Sequence, residues 1–203
     1  MSSVQVFHVS EDNNVSLAGV IDGDRIKAHS GLIRDIIATR ERTLIYKIEV
    51  TGPTLEGLSF VIDQISQLRK GQVLKVRVHD LPLEKVVAVH RAVNDLKVEP
   101  EQGHIRGHLN WHLSRYLVTL SQMKAVYDEF SFHAKGTEGQ KIYDIMIKTL
   151  SWQLAEKGLT GPKADAYWAA MESYLDLKRA VVGLTKSLEK RKEKREQAQA
   201  QGE

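Results

Sequence analysis

The sequence predicts an α+β fold, in which a small sheet with helices is followed by an all-helical C-terminal extension. Three observations predict it. Up to Pro100 the apolar period switches repeatedly between two and three-to-four, the strand and helix periods respectively. Beyond Pro100 only the helical period remains, and after Leu188 the apolar residues run out. The chain therefore reads as an α/β domain over 1–100, a helical extension over 101–188, and a charged tail over 189–203 that is an exposed helix or disordered.

Val15 to Ile21 alternates, Asp22-Gly23 interrupts, and Arg25-Ile26-Lys27-Ala28 resumes. Asp-Gly between two short runs predicts a tight hairpin, because both turn positions favour positive φ. Leu32, Ile33, Ile36 and Ile37 follow at helical spacing up to about Thr39. Leu44 to Val50 is a β-branched and aromatic run that predicts a strand. Thr51-Gly52-Pro53-Thr54 breaks it, with Pro53 suited to a helix's first turn. Leu55, Leu58, Val61, Ile62, Ile65 and Leu68 then mark one buried helical face, ended by Gly71. Val73 to Val78 alternates and predicts another strand. Asp80 is placed to cap a helix carrying Leu83, Val86, Val87, Val89, Ala92, Val93 and Leu96.

In the extension, helices are predicted over Gly103–Leu120 and about Ser121–Phe130. Thr137-Glu138-Gly139-Gln140 has capping-box spacing and opens a third, which Gly158 stops. Gly161-Pro162 opens a fourth, running through Tyr167, Trp168, Met171, Tyr174, Leu175, Leu177, Val181 and Leu184.

Composition removes several classes of function. With 203 residues, 42% hydrophobic and 27% charged, the chain has enough apolar material for a core. No apolar run has the length of a membrane span, and the N-terminus lacks a secretory pattern. Cysteine is absent, which excludes disulfides, thiolate metal sites and cysteine nucleophiles and favours a reducing, nuclear or cytoplasmic setting. The formal net charge of +3 lies mainly in the tail, through Lys186, Lys190, Arg191, Lys192, Lys194 and Arg195.

Several residues suggest chemistry and are better read as structure. His104, His108 and His112 recur at a spacing of four, and His104 with His108 forms a weak metal candidate. The outer two lie about 12 Å apart along a helix, too far to share one ion. His29 lacks an organised nucleophile and acid partner. Asp22 and Asp24 are explained by turn formation, without the spaced ligands of a calcium loop. No phosphate-cradling glycine motif occurs. The expectation is a protein that is not an enzyme and carries no cofactor and no metal.

Val15-Ser16-Leu17, the Asp22-Gly23 hairpin, Arg25-Ile26-Lys27-Ala28-His29 and Leu32-Ile33 together resemble the start of a BTB/POZ domain. Ile48-Glu49-Val50, the helix with Phe60, Ile62 and Ile65, the Gly71 break and Leu83 to Leu96 follow in that family's order. The resemblance spans roughly residues 15–115 and is closest to divergent, fungal BTB-like proteins. Ile37 and Arg40 stand where the family places serine and phenylalanine, and Arg69-Lys70-Gly71 stands for its Tyr-Thr-Gly. It implies a structural role for His29 and self-association or pairing with another protein.

The function expected is thus a protein–protein interaction scaffold or adaptor, forming homo- or hetero-dimers, with no membrane partner. Val15, Leu17, Leu32 and Ile36 are its interface candidates, joined in the helical half by Trp168 and Tyr174, which precede the exposed tail; the other aromatics at helical spacing are read as core. The alternative is a nucleic-acid or ribonucleoprotein accessory factor. In that case Lys186, Lys190, Arg191, Lys192, Lys194 and Arg195 contact phosphate or an acidic partner.

Overall fold

A computed structural model describes residues 2–52, 54–69, 71–156, 159 and 161–200. Pro53, Lys70, Gly158 and the last three residues of the tail lie outside the described residues. The protein is α+β, with two compact units, Met1–Leu109 and Asn110–Glu203.

The first unit holds a three-stranded sheet in the order β2-β1-β3, with β1 Ser3–Val9, β2 Val15–Asp22 and β3 Ile45–Thr51. The central strand β1 runs antiparallel to β2 and parallel to β3. The expected hairpin at Asp22-Gly23 is not formed. Asp22 instead caps helix α1, Gly23–His29, its carboxylate accepting from the N–H groups of Asp24 at 3.1 Å and Arg25 at 2.9 Å. A short acceptor side chain serves a turn or a helix start equally well. Here Ile26 is fully buried on α1, and the partner of β2 comes from upstream. That hairpin closes over Ser10–Asn14, with Ser10 N–H donating to Asn14 O and Asn13 at φ 60°.

Helix α2, Gly31–Ala38, is capped by Ser30, whose hydroxyl also donates to Leu96 O at 2.7 Å. Helix α3, Leu55–Ser66, starts at Thr54, whose Oγ1 accepts from Gly57 N–H. Helix α4, Leu83–Asp95, packs along α3. Asp80 does not cap α4; it pairs with His79 at 2.7 Å, and Pro82 holds the cap position without a side-chain bond. Asp80 stands three residues before the first helical residue, upstream of the position from which a cap reaches the free N–H groups.

Val73–Val78 keeps the strand burial pattern, with Leu74, Val76 and Val78 buried, yet among the described residues it joins no ladder. A side chain supplies what a neighbouring strand would have. Gln102 accepts from Val76 N–H at 2.9 Å and donates to Leu74 O at 3.1 Å. Helix α5, Gly103–Arg115, begins directly after it, and His104 Nε2 lies 2.7 Å from Val76 O. These bonds, with buried Ile105 and Leu109, tie the start of α5 into the first unit. The first compact unit accordingly extends to Leu109.

The second unit is helical. α5 ends at Arg115 and not at Leu120, because Thr119 opens α6, Leu120–Phe130, with a capping box to Gln122. The break is pinned by a second buried glutamine: Gln153 accepts from Val118 N–H at 3.0 Å and donates to Val118 O at 3.2 Å. Thr137 caps α7, Glu138–Ala155, at the expected position. The single helix expected after Gly161 is two, α8 Pro162–Met171 and α9 Leu175–Ala200. Phe130, Ile142, Met146, Leu150, Leu177 and Val181 make the core of α6, α7 and α9.

Candidate functional site

The sheet has two unlike faces. Val4 and Val6 of β1, Ile21 of β2, and Tyr46 and Ile48 of β3 are buried on one of them. There α3 meets β2 so closely that a Cβ at Gly19 would lie 2.8 Å from Ile62 Cγ2. The opposite face presents cross-strand rows. Val20, Gln5 and Lys47 form one row, Leu17, Phe7 and Glu49 the next, and Val15, Val9 and Thr51 a third. Ile45, beside Ser3, extends the face at the other end. Val15, Leu17, Val20 and Ile45 are each more than half exposed.

A β-bulge builds this face. Residues three apart on a strand point to opposite sides, so Leu17 and Val20 would ordinarily be separated. The register shifts at Val6/Phe7, Ala18 is left without a partner, and both residues emerge on the same side. The result is an exposed apolar stripe along β1 and β2, flanked on β3 by a cation, Lys47, and an anion, Glu49, two residues apart.

Of the interface residues expected from sequence, Val15 and Leu17 lie on this face. Leu32 and Ile36 are half-buried on α2, which packs on α1. Phe7, Val9, Val20, Ile45, Lys47 and Glu49 complete the face and were not identified from sequence. The signal available for the first two was the alternating, β-prone Val4-Gln5-Val6-Phe7-His8-Val9.

In the second unit Tyr174 is packed on Tyr127, ring centroids 4.4 Å apart. Tyr127 and Tyr143 both donate to the Asp176 carboxylate, at 2.7 and 3.3 Å. Desolvation and the Asp176 hydrogen bond push the Tyr127 phenol up to about 12, and desolvation with the Asp176 charge raises that of Tyr143 further. Partial burial raises the Asp176 carboxyl, but the Tyr127 hydroxyl and local backbone N–H groups outweigh it and hold it below the ordinary value. All three groups thus keep one protonation state throughout the neutral range. This is a clamp at the start of α9, and Tyr174 belongs to its packing. Trp168 is half-buried on α8.

His104 spends Nε2 on the Val76 carbonyl, and His108 has its pKa lowered by desolvation and by the charges of His79 and His104. Among the described residues no group of three histidine or carboxylate side chains is placed to hold a metal ion. Asp24 is bound to Lys27 at 2.8 Å, whose hydrogen bond and charge lower its carboxyl pKa. His29 ends α1, its carbonyl accepting from Glu99 N–H.

The basic residues from Lys186 to Arg195 are all exposed on α9. Among the described residues no helix is long and apolar enough to cross a membrane. No protein-family model, curated protein or solved structure matches this chain.

Proposed function

We propose that this protein is a non-catalytic protein–protein interaction module that pairs with a second copy of itself through the open face of its sheet. The observation that carries the reading is the bulge-built stripe of Phe7, Leu17 and Val20 beside Lys47 and Glu49. An exposed contiguous apolar patch with a polar border is the usual mark of a docking surface.

A second copy fits because the face is self-complementary. A two-fold axis crossing the strands between the Val20–Gln5–Lys47 and Leu17–Phe7–Glu49 rows sets each row on the other. Lys47 of one copy then meets Glu49 of its partner, twice over, and Val20 meets Leu17. Isologous pairing of this kind needs one patch that complements itself. A BTB/POZ resemblance implies the same class of activity, although its opening hairpin at Asp22-Gly23 is not formed here.

Sedimentation equilibrium on the full chain tests it. The wild type is expected at dimer mass at about 100 µM, above the micromolar dissociation constants of modest interfaces. Leu17→Lys with Val20→Lys is expected to give a monomer with unchanged circular dichroism, since both side chains project from the exposed face. A wild type that stays monomeric, or a double variant that stays dimeric, would rule the surface out.

A further inference from the structure

We infer that the distal half of α9 is a nucleic-acid phosphate-backbone clamp formed by Lys190, Arg191, Lys194 and Arg195. From Lys186 to Gln199 every residue is exposed apart from half-buried Leu188, so this stretch of helix is shaped by charge and not by packing. The core side of α9 ends with Leu177, Val181 and Thr185, and Lys192, Arg195 and Gln199 continue its line.

The charges are sorted around the helix. At about 100° per residue, Lys190, Arg191, Lys194 and Arg195 fall on one arc of roughly 140°. Glu189, Glu193 and Glu196 gather on a narrower arc of roughly 60° on the far side. Helical neighbours are three and four residues apart. By that rule Lys186, Lys190 and Lys192 have glutamate neighbours, Lys190 through Glu193, whereas Arg191 and Lys194 have none. Arg195 lies 3.9 Å from Glu156, and among the described residues no ion pair is formed by Lys190, Arg191 or Lys194. Six cations against three glutamates leave the stretch from Lys186 to Glu196 net positive, and the sorting concentrates four of those cations on one arc.

The chemistry of the patch favours a polyphosphate over other polyanions. An amphipathic membrane-binding helix needs an apolar face, and none remains beyond Leu188. Docking of an acidic protein segment ordinarily adds buried aromatic or aliphatic anchors, and the arc offers none. A nucleic-acid backbone asks only for closely spaced cations, and the guanidinium forks of Arg191 and Arg195 match phosphate oxygens. The contact carries no base readout.

The test is fluorescence anisotropy of the full chain against a short DNA duplex and a single-stranded RNA of equal length. Binding at low salt is expected, weakening on the duplex with a log–log salt slope near −3.6, which is about 0.9 for each of four neutralised phosphates. Arg191→Glu with Lys194→Glu is expected to weaken it at least tenfold, and Arg191→Gln with Lys194→Gln to reduce the slope by about 2. Glu189→Gln with Glu193→Gln should tighten it. The inference is overturned by absence of binding to both probes at low salt. It is also overturned by unchanged binding in the Arg191→Glu, Lys194→Glu protein, or by capture on anionic vesicles with none on nucleic acid. None of these outcomes bears on the sheet face, whose readout is oligomeric mass.

Discussion

Gly57→Ala is expected to destabilise the protein by about 2 kcal/mol, although helix propensity alone would make it stabilising by about 1 kcal/mol. Gly57 sits in the first turn of α3, where α4 crosses. A Cβ there would fall inside contact distance of the Ala88 carbonyl, with the carbonyl carbon only 2.7 Å away. Those are backbone atoms and cannot rotate aside. The helices must part, and the fully buried Leu58, Val61, Val86 and Val89 lose contact as they do. Urea unfolding checks the sign. Gly107→Ala is the control: it is also helical, but nothing lies within 4 Å of its added Cβ, so propensity should win and stability should rise by about 0.5–1 kcal/mol. A Gly57→Ala protein as stable as the wild type, or stabilised like Gly107→Ala, would contradict the α3–α4 packing.

Gln102→Leu is expected to cost more, about 3–5 kcal/mol, since each buried backbone group left unsatisfied costs about 1–3 kcal/mol. Gln102 is 5% exposed, and its amide serves Val76 N–H, Leu74 O and Pro100 O together. Leucine has nearly the same volume and fills the space, so the loss reads the hydrogen bonds and not a cavity. Hydrogen exchange should place the damage: Val76 N–H is expected to lose protection while the β1–β3 amides retain theirs. Unchanged exchange at Val76 would show that Gln102 does not hold this segment.

The buried glutamines Gln102 and Gln153 also explain where the sequence was legible and where it was not. Burial period was readable throughout: α2, α3, α4, α7 and β3 lie within a few residues of their expected positions, and Val73–Val78 buries alternate residues as a strand would. Period reports which side is dry, but it does not report what the backbone bonds to. At Val73–Val78 that role fell to Gln102, from far along the chain. At Val118 it fell to Gln153, and no local pattern marks either glutamine. The same limit explains Asp22, whose carboxylate satisfies a hairpin or a helix start alike. The choice was made by Ser3–Val9, which had already taken the pairing edge of β2.

The open face of the sheet was half legible for a related reason. Val15 and Leu17 follow from alternation within one strand. Val20 joins them only because the bulge at Val6/Phe7 reverses the phase, and Lys47 and Glu49 only because β3 pairs in parallel with β1. Register between strands is a tertiary fact, and one residue of slip would move each side chain to the other face.

The most direct test of the self-pairing account is a zero-length carbodiimide cross-link in a mixture of isotope-labelled and unlabelled full-length protein. The two-fold arrangement predicts amide links joining Lys47 of a labelled copy to Glu49 of an unlabelled one, in both combinations. Cross-links confined within single copies, or mixed links that map away from β3, would contradict it.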